Sequence, residues 1–409
     1  MERLISFGGL FVMMGLAWLM SSHRSRIQWR TIAMGLVLQF AFAFLTLRTE
    51  LGRNLFARLG DVFTGLLEFV DAGAVFVFGM PGPEETNRQL LATFAFGVLP
   101  SIIFISSLMS ILYHLHVMQH VVRAAAIVMQ KGLRLSGAES LSVAANIFLG
   151  QVESPLVVRP YLATMTQSEL MTIMMAGFAT VAGGVLAAYV KMGIDAGHLV
   201  TASVIAAPAS IVIAKIMQPE IEVPQTLGGT VVEVETGTVN VLEAAANGAL
   251  DGLRLALQVA GIIIAFLALL AMLKFGVDRL LALFGQGWTL EDLLGYLFAP
   301  FAWAMGIEPA DCRKAGELLG LRMISNEFIA YKGLSDWMRE GNQVSPRTAV
   351  LLTYALCGFA NFGSIGVQLG GIGAVAPSRQ SDLARLGLRA MLGGTLACFM
   401  TACVAGVLV

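Results

Sequence analysis

Gln151 and Glu153 stand between Gly150 and Pro155 in the run NIFLGQVESPLVVRPYL (Asn146–Leu162), and Arg159 follows them. An amide offers donors and acceptors, and a carboxylate accepts from hydroxyls, so this cluster could hold a polar solute. The chain around it is lipid-like, and a carboxylate at membrane depth costs about 2.5–3.5 kcal/mol on insertion scales. Gly150 and Pro155 break regular helix. Broken backbone at that depth is tolerated only inside protein or beside a water-filled cavity. Such a stretch has the features of a carrier's solute site. A second polar, interrupted stretch, Ala310–Leu334, carries Asn326 and Glu327 in LGLRMISNEFIAYKGL.

The competing structural roles are specific. Glu153 could pair with Arg159, and Glu327 with Arg322 or Lys332. Asn361 and Ser364 could satisfy backbone freed in a glycine-rich helix. Phe359 is by default a packing residue, and Met171, Met174 and Met175 core filler.

These residues need a membrane scaffold. The chain has 409 residues, 57% hydrophobic and 13% charged, too apolar for a soluble domain of this length. Several runs approach or exceed the twenty or so residues that cross a bilayer. The net charge of −1 carries no nucleic-acid footprint. Cys312, Cys357, Cys398 and Cys403 show neither ligand spacing nor a disulfide framework. A HExxH-type metal motif or a nucleophile–base pair for intramembrane proteolysis is missing from the spans. His114, His116 and His120 read as solvated imidazoles at an interfacial helix start, without a carboxylate to complete a metal site.

The spans expected are Leu4–Met20, Thr31–Leu45, Leu91–Leu115 with a kink at Pro100, Leu170–Tyr189, Leu199–Met217, Leu255–Leu273, Val350–Val375 and Leu386–Leu408. The first is read as a retained span and not a signal peptide. Arg24, Arg26 and Arg30 favour a cytoplasmic first loop, although the basic stretch Lys274–Arg347 would then lie outside. Gly52–Val70 is an amphipathic interfacial helix and Val241–Arg254 an amphipathic lead-in. Met80–Asn87 is an exposed turn and Thr230–Thr236 a short strand. Residues 137–162 and 310–334 are too polar for spans and read as re-entrant hairpins.

The two hairpins head an internal repeat. Gly177-Phe178-Ala179-Thr180 matches Gly358-Phe359-Ala360-Asn361, each in the span that follows a hairpin. Each unit is span, hairpin, span, span. A hairpin does not cross, so each unit crosses an odd number of times and the second starts from the opposite face. The fold class is therefore an all-α polytopic membrane protein with about eight transmembrane helices, two re-entrant hairpins in inverted repeats, and interfacial amphipathic helices. Inverted repeats are common in alternating-access carriers. The domain division is 1–90 for the first two spans and the interfacial helix, 91–217 for the first repeat, 218–254 for a linker and lead-in, and 255–409 for the second repeat.

GQVESPLVVRPYL, GFATVAGGVLAAY, NEFIAY and CGFANFGSIG, in that order, resemble the two hairpins and two broken helices of the concentrative nucleoside transporters. The resemblance covers the chain from the third span onward. It implies a sodium-coupled nucleoside symporter in the inner membrane, with a homotrimeric assembly and a transport domain moving against a scaffold. Gln151, Val152 and Glu153 would face the base, and Val185 and Phe359 would wall it. Glu327, Asn361 and Ser364 would hold the ribose, with Asn326 supporting the second tip. Sodium would be held by the side chains of Asn146 and Thr180 and the carbonyls of Leu149 and Val181. A proton on Glu153 or Glu327 is the alternative coupling ion. Val152, Gly184 and Arg322 depart from common choices in the family (a hydroxyl residue, serine and lysine), and the first two bear on base selectivity.

Overall fold

The fold was analysed in a computed structural model, which describes residues 1–79, 84–91, 93–228, 238–283, 288–339 and 344–409. Apolar helices α1 (Glu2–Leu19) and α2 (Trp29–Leu47) are joined by a short loop holding Arg24 and Arg26. Thr49 caps α3 (Glu50–Phe78), its hydroxyl accepting from Gly52 N at 2.9 Å. This helix extends the amphipathic segment read at Gly52–Val70 by about two turns at its C-terminal end. The turn expected at Met80–Asn87 is corrected in part. Residues 80–83 lie outside the described residues, and Glu84–Asn87 open α4 (Glu84–Leu91). A π-helical segment, Phe94–Val98, runs into α5 (Leu99–His114). The irregularity expected at Pro100 therefore falls before it. Because the helix is continuous from Phe94, Pro100 cannot donate to the turn before it, and that turn is the π-helical one.

Next come α6 (Val117–Leu133), α7 (Gly137–Ala145), and the short α8 (Glu153–Leu156) and α9 (Arg159–Leu162). A Thr166–Glu169 capping box opens α10 (Gln167–Ala179), which breaks at 180–182 before α11 (Gly183–Lys191). Asp195 caps α12 (Ala196–Met217). The strand read at Thr230–Thr236 lies outside the described residues. The lead-in at Val241–Arg254 is not separate from its span. Both belong to one helix, α13 (Val241–Leu283), 43 residues long and so about 64 Å. Its polar residues mark a change of surroundings, and the backbone continues through them. A Thr289–Asp292 capping box opens α14 (Leu290–Ala304). Then follow α15 (Cys312–Ile324), α16 (Glu327–Arg339), α17 (Pro346–Leu356), α18 (Phe362–Val375) and α19 (Gln380–Leu408).

Among the described residues, seven helical stretches are long and apolar enough to cross a bilayer, counting α10 and α11 as one. The broken pair α17 and α18 makes the eighth expected span. The order hairpin, broken helix, long helix occurs twice, as α7 to α12 and again as α15 to α19. The halves interlock: α10 packs on α19, α12 on α17, and α12 on α19. Burial separates centre from rim. The α10–α11 stretch is 94% buried, against 6% for that of α13. α13 rests mainly on α5; Gly248 and Gly252 face Ser110 and Ile103 there, so the backbones come close. Its other faces expose Leu257, Ile264, Leu269 and Met272, and α3 exposes Leu55, Val62 and Phe69.

Candidate functional site

Hairpin one is anchored at its root. The Ser136 hydroxyl accepts from Glu139 N, capping α7, and donates to Glu169 Oε1 at 2.5 Å. Lys215 of α12 pairs with Glu139 at 2.5 Å, and all three charged groups are buried. This network fixes α7 to α10 and α12, so the turn at 146–152 projects from a rigid base. There, Phe148 O accepts from Gly183 N at 2.9 Å, which seats the hairpin tip on the break between α10 and α11.

That contact sets the turn carrying Asn146 and Leu149 against the break carrying Thr180 and Val181. Asn146 is 1% exposed, and among the described residues neither its amide oxygen nor its nitrogen has a protein partner. A buried amide with no partner costs about 1–3 kcal/mol unless something else satisfies it. Thr180, also buried, donates to Ala176 O at 2.8 Å and keeps its lone pairs. Leu149 and Val181 lie in the two non-helical segments that this bond joins. An orphaned amide oxygen, a hydroxyl and unwound backbone carbonyls are donor types that fit a small hard cation.

Later in the same turn, Gln151 is buried and accepts from Gln368 Nε2 of α18 at 3.1 Å. Val152 packs on Gly371 of the same helix. Glu153 is exposed at this tip. Among the described residues it forms no ion pair with Arg159.

Glu327 lies at the other tip, as the first residue of α16, and is 3% exposed. Its Oε1 accepts from Tyr189 OH of α11 at 3.2 Å, and its Oε2 from Asn361 Nδ2 at 2.9 Å. It pairs with neither expected cation. Lys332 pairs with Asp336, and Arg322 is spent on backbone. Asn326 Oδ1 caps the first turn of α16 by accepting from Ile329 N at 3.0 Å. Asn361 has two tasks, since its Oδ1 also caps α18 by accepting from Ser364 N at 2.9 Å. Phe359 is half-buried and Val185 buried. Each tip thus meets the broken helices of both halves.

The two Gly-Phe-Ala motifs meet as well. Gly358 has φ +136°, a conformation that favours glycine. A Cβ there would come 2.5 Å from Phe178 O. Arg322 of α15, 1% exposed, donates to Ala355 O at 3.0 Å and to Gly358 O at 3.3 and 3.4 Å. It closes the end of α17, where carbonyls lack helical partners and a cation is favoured. Cys398 of α19 accepts from Arg322 at 3.1 Å and donates to Cys357 O at 2.9 Å.

Tyr189, Gln368 and Cys398 are not legible as site residues in the sequence. Gln368 carried a signal, as a lone amide in the apolar run GSIGVQLGGIGAV. Cys398 carried none, since buried cysteine normally acts as a small hydrophobe. Gly184 faces Ser106 of α5, so the absence of a serine there bears on packing against α5. His114 bonds Thr238 at 2.7 Å, and His120 bonds His116 O at 2.6 Å.

Interlocked halves, two broken helices and two polar tips at the breaks define a polytopic membrane protein of the carrier class. Comparison with known proteins gives the family. Residues 198–406 match the Na+ dependent nucleoside transporter C-terminus and residues 8–80 the N-terminus, while residues 95–196 match a nucleoside recognition region. The chain is similar to CNTnw in an inward-facing substrate-bound state, with 39% identity, TM-score 0.93, and 100% of this chain and 98% of that one covered. It is similar to a doubly substituted CNTnw in an outward-facing state at TM-score 0.90 and 38% identity, with the same coverage. All of this chain aligns with human solute carrier family 28 member 3 at 42% identity and with sodium/nucleoside cotransporter 1 of Rattus norvegicus at 41%, covering 60% and 64% of those proteins. The chain therefore belongs to the Na+ dependent nucleoside transporter family, and it spans about three fifths of the length of these curated relatives.

Proposed function

We propose that this protein imports nucleosides by symport with sodium, through alternating access, and performs no chemistry on them. The observation that carries the reading is the convergence of two polar hairpin tips on two broken helices, each tip bonded to both halves. Gln151, Val152 and Glu153 serve the base, with Val185 and Phe359 as apolar walls. Glu327, Asn361 and Ser364 serve the ribose, with Asn326 shaping the second tip. A few convergent polar groups within apolar walls suit a planar base joined to a sugar. Sodium sits among Asn146, Thr180 and the carbonyls of Leu149 and Val181. Because Asn146 belongs to hairpin one and Thr180 to the break, the ion site is complete only when the tip is seated. Ion binding and order at the base site are thereby linked.

The hairpins and broken helices within 91–217 and 255–409 form the moving transport domain. Residues 1–90 and the linker and lead-in at 218–254 belong with the scaffold. The exposed apolar faces of α13 and α3 support burial in lipid and in a homotrimer, and the setting is the inner membrane. The substrate-bound CNTnw structure and the sodium/nucleoside cotransporters support the same reading.

Three measurements test it. Asn146→Ala is expected to raise the sodium concentration for half-maximal uptake roughly tenfold. An unchanged sodium dependence would remove Asn146 from the ion site. Uptake that persists when choline replaces sodium at fixed pH would transfer the coupling to a proton. Free bases should compete far less well than nucleosides, and equal competition would remove the ribose role of Glu327 and Asn361.

A further inference from the structure

Gln368 is completely buried on α18, and its Nε2 lies 3.0 Å from Met174 O and 3.1 Å from Gln151 Oε1. A backbone carbonyl can only accept, so the atom of Gln368 that faces Met174 must be its nitrogen. The same nitrogen faces Gln151, and the atom of Gln151 that it meets must therefore be oxygen. Hydrogen-bond polarity is thus passed from a fixed carbonyl on α10, through Gln368, to the tip of hairpin one. Among the described residues Gln151 is bonded through Oε1, with no hydrogen bond from its Nε2, and Gln368 Oε1 is buried without a partner. Space for this chain is made by Gly177, the glycine of the repeated Gly-Phe-Ala motif. A Cβ there would come 2.7 Å from Gln368 Nε2 and 2.9 Å from Gln151 Cβ.

We propose that Gln368 is a positioning residue that sets Gln151 as a hydrogen-bond donor toward the substrate, so that the site selects a nucleobase presenting an acceptor at that point. The inference rests on the nucleoside reading above. It adds which way the base-reading amide points and which residue points it. Hydrogen-bonding sites discriminate sharply because an unmatched buried polar group is left unpaired.

The test uses the full chain in proteoliposomes under a sodium gradient. Uptake is measured for uridine and for two analogues, one lacking the 4-carbonyl and one with sulfur in place of the 2-carbonyl oxygen. The wild-type protein should show a KM about tenfold higher for one of the two analogues, with Vmax little changed. In Gln368→Met the donor is gone and Gln151 is free to turn, so that penalty should shrink toward unity. In Gln368→Glu the carboxylate can only accept when ionised, which favours Nε2 of Gln151 toward it and turns the amide oxygen to the substrate. The penalty should then vanish or invert. Folding is checked by thermal melting and by elution profile in detergent.

A wild-type protein that transports uridine but penalises neither analogue would overturn the inference without any variant. So would a folded Gln368→Met or Gln368→Glu protein with the wild-type KM ratio, which would make Gln368 a packing residue. Failure of the wild-type protein to take up any nucleoside would defeat the functional reading itself, and this inference with it.

Discussion

Glu327→Gln is expected to reduce nucleoside uptake by about a hundredfold while the protein still folds and reaches the membrane. Both carboxylate oxygens accept from protein donors, Tyr189 OH on one side and Asn361 Nδ2 on the other. Each oxygen has a further lone pair for a sugar hydroxyl. A glutamine keeps the shape but turns one of those oxygens into an NH2 group. That group must face Tyr189 or Asn361, and the Asn361 side places donor against donor. Asn361 also caps α18, so the disturbance reaches Ser364. Charge is lost too, and hydrogen bonds to charged groups are the stronger kind. Full uptake by a surface-expressed Glu327→Gln protein would remove this carboxylate from the site.

The second large effect is one of stability. Arg322→Met should lower the stability of the detergent-solubilised protein by about 2–4 kcal/mol and abolish uptake. The guanidinium serves Ala355 O, Gly358 O and Cys398 together, in a place without room for solvent. Methionine fills much of the volume and leaves these acceptors unpaired. Arg322→Lys should fall between the two, because an ammonium lacks the planar fork that reaches several acceptors at once. Thermal melting with and without nucleoside reads both variants. A Met variant as stable as the wild-type protein would show that the break at 357–361 closes without Arg322.

What was legible in the sequence follows from contrast. Gln151, Glu153 and Glu327 announce themselves because a polar group in an apolar chain is an anomaly that packing does not explain. Gly150 and Pro155 mark the hairpin turn because their backbone preferences are local. The repeat emerged from four residues, and the fold gives it a physical content: Gly358 lies against the carbonyl of Phe178. Other features depend on partners far along the chain. Tyr189 reads as an aromatic at the end of an apolar helix until Glu327 arrives from 138 residues away. Cys398 reads as a small hydrophobe until Arg322 reaches it. The boundary drawn inside α13 has a physical cause. Glu243, Asp251 and Arg254 interrupt the hydropathy of α13 but not its helix, because hydropathy reports surroundings and helix formation reports backbone bonding. The irregularity expected at Pro100 takes the form of a π-helical turn just before it, where proline withholds a donor.

The central claim is that the two tips hold one nucleoside and that the ion seated beside the first tip drives it across. The most direct measurement is accumulation of radiolabelled uridine inside proteoliposomes under an inward sodium gradient, with choline as the control. Accumulation above the external concentration that collapses when a sodium ionophore is added is the predicted result. Uptake that merely equilibrates, or proceeds equally well in choline, would contradict the account.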